Sequence, residues 1–289
     1  MKKILLLTDF SEAAHKALQY ARSFFSDTVA DFHLLCAYPV EPDGFYSPKH
    51  VAETVHAAFV SQLRDVVKEL HQQTNVDWHT FRSSAKPGKL IDIVREALDE
   101  EAYDLVVIGG KKDGTNELFG NSATQLIRQL NINVLVVPVD TDSKPIRSVV
   151  LAVDFANLKS CKLLCPVKEI VSLKGATLTL LTIDTPQKKS IRVEQEVRIR
   201  QFLAPIEPTV AHLQSPDARK GIDDYLAGHP VDLLITIPKH KGLADILTGN
   251  SVTRSLAYMP PVPMLTLYDD GSSDKPRLIE DLSNLDYAL

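Results

Sequence analysis

The apolar residues of this chain fall into short runs, and between the runs they recur at every third or fourth position. That alternation is how strands linked by crossover helices read. In the first half the runs are residues 3–7, 31–37, 76–81, 105–108 and 134–137. The intervening helical patterns begin with Ser11 as an N-cap, followed by Ala14, Leu18, Ala21 and Phe24 at helical intervals. Amphipathic stretches over residues 51–72 and 89–98 come next, and a last helix carries Leu126, Ile127 and Leu130. The order is β-α-β-α-β-α-β-α-β. Each right-handed crossover must lay its helix against the sheet, so the pattern predicts a parallel sheet with helices on both faces.

The pattern then repeats. Residues 103–138 read YDLVVIGG, KKDGTNELF, GNSATQLIRQL, NINVLVVP, and residues 231–267 read VDLLITIP, KHKGLADILT, GNSVTRSLAYMP, PVPMLTL. Gly120-Asn121-Ser122 is answered by Gly249-Asn250-Ser251, and self-similarity of this kind marks a duplicated domain, for which 289 residues leave room. The second copy opens after a polar linker, residues 141–145, with a strand over 148–153 that ends on Asp154-Phe155, as the first strand ends on Asp9-Phe10. Strands over 177–183 and 209–213 and helices over 191–203 and 217–226 complete it. Pro166 removes a backbone donor and should kink or divide the helix that contains it. The predicted units are 1–141, 146–268 and a polar, acidic tail, 269–289. The apolar last strands, 134–137 and 264–267, are expected to meet across a pseudo-two-fold interface.

Composition narrows the function classes. With 44% hydrophobic and 24% charged residues the chain is an ordinary globular one and not a disordered one. A net charge of -5 leaves no basic footprint for nucleic acid. No apolar stretch reaches the roughly 18 residues of a membrane span, and the N-terminal MKKILLLTDF meets an acid before a secretory segment is complete. The expectation is a cytoplasmic protein with no nucleic-acid or membrane partner. Cys161 and Cys165 stand four apart on a helix without a nearby His, and Cys36 stands alone, so packing is expected and no metal site. HExxH, GxSxG and GxxxxGK[ST] are absent, and no residue is assigned a catalytic role.

The chemistry sits where strands end. An apolar strand through Ile108 that stops at Gly109-Gly110, then a loop that opens a helix at Gly120-Asn121-Ser122, offers unobstructed N–H donors and a positive helix end to a phosphate. A dinucleotide-binding fingerprint would follow the first strand instead, where the chain has Thr8-Asp9-Phe10-Ser11.

An Asp at the end of the first strand, a strand-loop-helix with Gly109 and Gly120, and an apolar last strand resemble the universal stress protein family in its tandem form, over residues 1 to about 268. The resemblance implies two Rossmann-like domains of the adenine nucleotide alpha hydrolase-like kind, each a five-stranded parallel sheet between helices. It implies a regulatory adenine nucleotide, ATP or AMP, with Mg2+ accompanying ATP, and at most slow hydrolysis. The family motif is G-x2-G-x9-G-[ST]. Carried over, Asp9 matches the acid that holds adenosine, Ala37 the apolar contact, Gly109 the first glycine and Gly120 the third. Thr8, Ile108, Gly110, Gly114, Asn121 and Ser122 complete the candidate cradle.

The chain also departs from the motif. Its loop from Gly109 to Gly120 is shorter, Lys111-Lys112-Asp113 replaces the middle glycine, and Asn121 stands where Ser or Thr is expected. In the second copy Pro238 replaces the first glycine, and proline has neither an N–H nor a free φ. Asp154, Ile183, Gly249, Asn250 and Ser251 form its degenerate counterpart. Two function classes remain. One is a stress-response protein that binds its nucleotide in the first domain and acts on an unknown protein partner. The other is an interaction module whose sites have decayed. The paired domains imply an intramolecular pseudo-dimer, and a homodimer is also open.

Overall fold

The computed structural model describes residues 1–39, 48–73, 78–110, 122–155, 158–186, 193–238 and 260–271. The first half runs β1 (Lys2–Leu7), α1 (Glu12–Phe24), β2 (Ala30–Tyr38), α2 (Pro48–Gln73), β3 (His79–Pro87), α3 (Leu90–Glu100), β4 (Leu105–Gly110), α4 (Ser122–Gln129) and β5 (Val134–Pro138). The second runs β6 (Ser148–Ala152), α5 (Cys165–Lys174), β7 (Thr177–Asp184), α6 (Val193–Leu203), β8 (Thr209–Gln214), α7 (Ala218–Gly228), β9 (Leu233–Thr236) and β10 (Met264–Thr266). All ten strands share one sheet, in the order β3-β2-β1-β4-β5-β10-β9-β6-β7-β8.

Each half is parallel throughout. The halves join where β5 and β10 pair antiparallel, with Val136 opposite Met264, Leu135 opposite Leu265 and Val134 opposite Thr266. The meeting of last strands expected from the repeat is therefore a direct ladder, which removes an edge from each half.

Parallel strands are covered on both faces, and this explains why the runs are continuously apolar. Ile4 and Leu5 are fully buried although they point to opposite faces, and so are Val134 through Val137. On the face under α1 and α2 one core unites Ile4, Phe32, Leu34 and Leu135 with Leu265, Leu151 and Leu164. On the other face Leu5, Val106 and Val136 continue into Met264, Leu234 and Ile222. Helix starts follow the sequence. Ser11 Oγ accepts from the Ala14 N–H at 3.3 Å, and Asp217 Oδ1 accepts from the Lys220 N–H at 2.8 Å.

Two elements differ from or refine the sequence expectation. β3 does not stop at residue 81 but pairs with β2 as far as Pro87. Its later residues are polar because it lies at the sheet's edge, where charged partners replace an apolar cover. Arg82 bonds Asp31 at 3.3 Å and also Glu101, and Lys86 reaches Glu96 and Glu100, each at 3.0 Å. The division expected at Pro166 is present. A 3-10 turn, Cys161–Leu164, precedes α5, and Pro166 occupies the first turn of α5, where its missing N–H costs nothing. Cys36, Cys161 and Cys165 are not joined in disulfides, and among the described residues no three metal-ligating side chains cluster. No described helix is long and apolar enough to cross a membrane.

His33 on β2 is buried, with Nδ1 2.6 Å from Tyr103 Oη and Nε2 2.7 Å from Ser84 Oγ. Burial, together with the Arg82 charge, lowers its pKa from 6.5 to about 4. The sign follows from proton uptake. Above pH 6.5 neither the native nor the unfolded imidazole is charged, whereas between 6.5 and 4 the unfolded chain takes up a proton that the native one refuses. Urea unfolding should therefore show stability falling across that window, and His33→Gln should flatten the slope. Glu101, held at about 2 by hydrogen bonds from Lys3 and Arg82, acts in a lower window, between 4.5 and 2. Its loss of stability there should persist in the variant.

Candidate functional site

β1 lies between β2 and β4, and the chain leaves it toward β2 and β3 and returns on the other side through β4. At such a switch point the loops diverge and leave a crevice beyond the carboxyl ends of the two strands. Thr8-Asp9-Phe10 follows β1, and Gly109-Gly110 ends β4, so the two stretches flank this crevice.

The β1–α1 turn is tightly determined. The Thr8 N–H donates to the Leu35 carbonyl at 3.0 Å, the Phe10 N–H to Thr8 Oγ1 at 3.1 Å, and the Ser11 N–H to Asp9 Oδ1 at 3.0 Å. Phe10 has φ 61°, a left-handed conformation that bulky residues avoid, and holding it costs on the order of 1 kcal/mol or more. A ladder of rings from the α2 side supports it. Phe10 stacks on Phe59 at 6.0 Å, Phe59 stacks on Tyr38 at 4.6 Å, and Tyr38 Oη is 2.9 Å from His56 Nδ1. The turn leaves Asp9 exposed at the crevice. Burial, with the nearby Asp9 charge, pushes the Cys36 thiol up to about 11, which leaves it inert.

Ala37 is half-buried near the end of β2, and it and Ile108 belong to the core face under α3 and α4. Gly109 has a packing reason of its own. A Cβ there would lie 2.4 Å from the Ala13 carbonyl carbon and oxygen and 2.9 Å from the Ala14 nitrogen, so the first turn of α1 rests directly on the glycine. At Gly110 the nearest atom would be 3.4 Å away, which is ordinary contact. Ser122 is the first residue of α4, half-buried. Gly114, Gly120 and Asn121 lie outside the described residues.

The second half places the same elements differently. β6 lies between β7 and β9, and Asp154 follows it, half-buried. Phe155 is 1% exposed and packs in the core, and among the described residues Phe10 is the one non-glycine with positive φ. Ile183 is packed beneath α7. A Cβ on Gly221 would come within 2.7 Å of Ile183 Cγ2, so this helix approaches as closely as glycine allows. Gly249, Asn250 and Ser251 lie outside the described residues. The sequence reading passed over Phe10, Phe59 and Tyr38 as a unit. Its one available signal was the repeated Asp-Phe pair.

The sequence model of the universal stress protein family matches residues 1–138. This half of the chain belongs to that family. Among curated proteins none matches the chain in sequence. The fold is similar to that of a universal stress protein from Archaeoglobus fulgidus DSM 4304, with a TM-score of 0.74 at 17% identity over 93% of this chain and 97% of that one. A functionally unknown protein from Pseudomonas aeruginosa PAO1 is similar, with a TM-score of 0.61 at 17% identity over 94% of each chain. A universal stress protein family protein from Arabidopsis thaliana, with AMP bound, matches 48% of this chain and 91% of its own, at 16% identity and a TM-score of 0.32.

The packing at the paired glycines makes a prediction independent of any ligand. Gly109→Ala should destabilise the protein by about 2 kcal/mol or more, because the clash is with helix backbone that cannot rotate away. Gly110→Ala should cost less than about 1 kcal/mol. Chemical denaturation of the two variants checks the order.

Proposed function

We propose that the universal stress protein half binds an adenine nucleotide at the carboxyl ends of β1 and β4 and works as a regulatory module, with the second half as its structural counterpart. The observation that carries this is the difference between the two switch points. In the first, Asp9 is exposed on a turn bent by Phe10 and a glycine pair ends the facing strand. In the second, Pro238 follows β9 and Ile183 is covered by α7.

The residues fit an adenosine phosphate. An exposed carboxylate is what ribose hydroxyls need, and one oxygen of Asp9 is steadied by the Ser11 N–H. Thr8 stands beside it. Ala37 and Ile108 offer small and apolar surface to a base, while Gly110, with no Cβ, and Ser122, at a helix start, suit a phosphate. Residues 1–141 are the binding unit on this reading, and 146–268 the paired unit. A second reading, an interaction module without nucleotide, draws support from Gly109, which α1 requires whether or not a phosphate binds.

Thermal unfolding with AMP, ADP and ATP distinguishes the readings. A nucleotide at a hundred times its dissociation constant should stabilise the native chain by about 2.7 kcal/mol. Asp9→Ala should remove that shift and Asp154→Ala should leave it. Equal loss from both variants would refute the asymmetry, and no shift with any of the three nucleotides would support the interaction module.

A further inference from the structure

Beside the seam a cleft of about 150 Å³ opens between the end of α1 and α5. Its walls are Phe24 and Phe25 from the first half and Ile170 and Leu173 from the second, and Ile4 and Leu265 form its floor. Pro166, Ile170 and Leu173 follow one another at helical intervals along α5, so a single apolar stripe of that helix faces the cleft. The stripe runs out of cover at Leu173, which is 50% exposed. The last strand delivers the chain to this place. Leu265 belongs to β10, and beyond it the Tyr268 N–H donates at 2.9 Å to Oδ1 of Asn133, which also lines the cleft. The Gly271 N–H then donates to Asp269 Oδ1 at 2.8 Å in a turn that Gly271 makes with φ 74°. Residues 272–289 follow, outside the described residues. Their sequence, SSDKPRLIEDLSNLDYAL, sets Leu278, Leu282, Leu285 and Leu289 at the spacing of one helical stripe, and Pro276 just ahead of them suits a first helical turn.

We propose that this leucine stripe docks along Ile170 and Leu173 and seats a side chain in the cleft, so that the tail straps the second half to the first. Reach allows it. Leu278 is seven residues on from Gly271, on the order of 20 Å of extended chain, and the chain already touches the cleft's lining at Tyr268. An apolar cavity of this size takes one small ring or an aliphatic side chain of similar bulk. A tethered segment is favoured over a free one, because a short linker holds it at an effective concentration in the millimolar range. The cleft lies at the amino ends of β1 and β4, whereas the nucleotide crevice lies at their carboxyl ends, so the strap stands apart from that reading.

Hydrogen exchange of the full chain tests the assignment. Amides of residues 278–289 should exchange at least about tenfold more slowly than in an isolated peptide of the same sequence. Leu173→Ser, at a half-exposed side chain, should abolish most of that protection, and Leu282→Ser should do the same from the tail's side. The double variant should lose no more than the larger single loss, since either change removes the same contact. Exchange in β1 and β10 should stay as in the parent for all three variants, which separates undocking from unfolding. Free exchange of the tail in the parent, or protection that survives either single variant, would overturn the proposal. So would protection that grows with protein concentration, because the occupant would then be the tail of a second copy.

Discussion

The ladder between β5 and β10 is the contact on which the rest of this structure depends. Each half ends on a strand that is apolar on both faces, and left alone such a strand would expose unpaired N–H and C=O groups beside Val134–Val137 or Met264–Leu267. Pairing them satisfies the backbone groups and lets both core layers run unbroken from one half into the other. Two ion pairs among the described residues cross the seam, Lys2 with Glu169 at 2.9 Å and Lys174 with Asp27 at 2.6 Å, and both are partly exposed. Pairs of that kind contribute at most about 1 kcal/mol each, so burial and the ladder carry the junction.

Because the ladder is antiparallel, the two switch points open at opposite ends of the sheet. The carboxyl ends of the first half's strands lie beside the amino ends of the second half's. No ligand can bridge the two crevices, and each turn has been free to change without the other. The first keeps Asp9 at the surface on a left-handed Phe10, held by rings from α2. The second draws Phe155 into the core and lets α7 close over Ile183.

Much of this was legible in order and kind. The continuous apolar runs announced parallel strands because both faces of such strands are buried, and the helical spacing between them announced the crossovers. The Asp-Phe and Gly-Asn-Ser repeats marked the duplication, and Pro166 marked where a helix would divide. The length of β3 was not legible. Beyond Phe81 the strand is held by backbone pairing with β2, while the cover over Arg82 and Lys86 is made of charges from Asp31 and α3, which no periodicity displays.

The amino-acid sequence by itself determined the α/β class, the repeat and where the strands end, since these follow from local periodicity and from where glycine, proline and carboxylate stand. Tertiary structure decided what each of those residues does. Gly109 looked like a phosphate contact and is first of all the place where α1 touches β4, because the space for a Cβ is taken by backbone from a helix nearly a hundred residues away in the chain. Phe10 stood out only as half of a repeated Asp-Phe pair and is the left-handed residue of the turn that presents Asp9, because Phe59 arrives from α2 to hold it. Contacts between residues far apart in the chain leave no local pattern, and they alone separate a glycine kept for packing from one kept for a ligand.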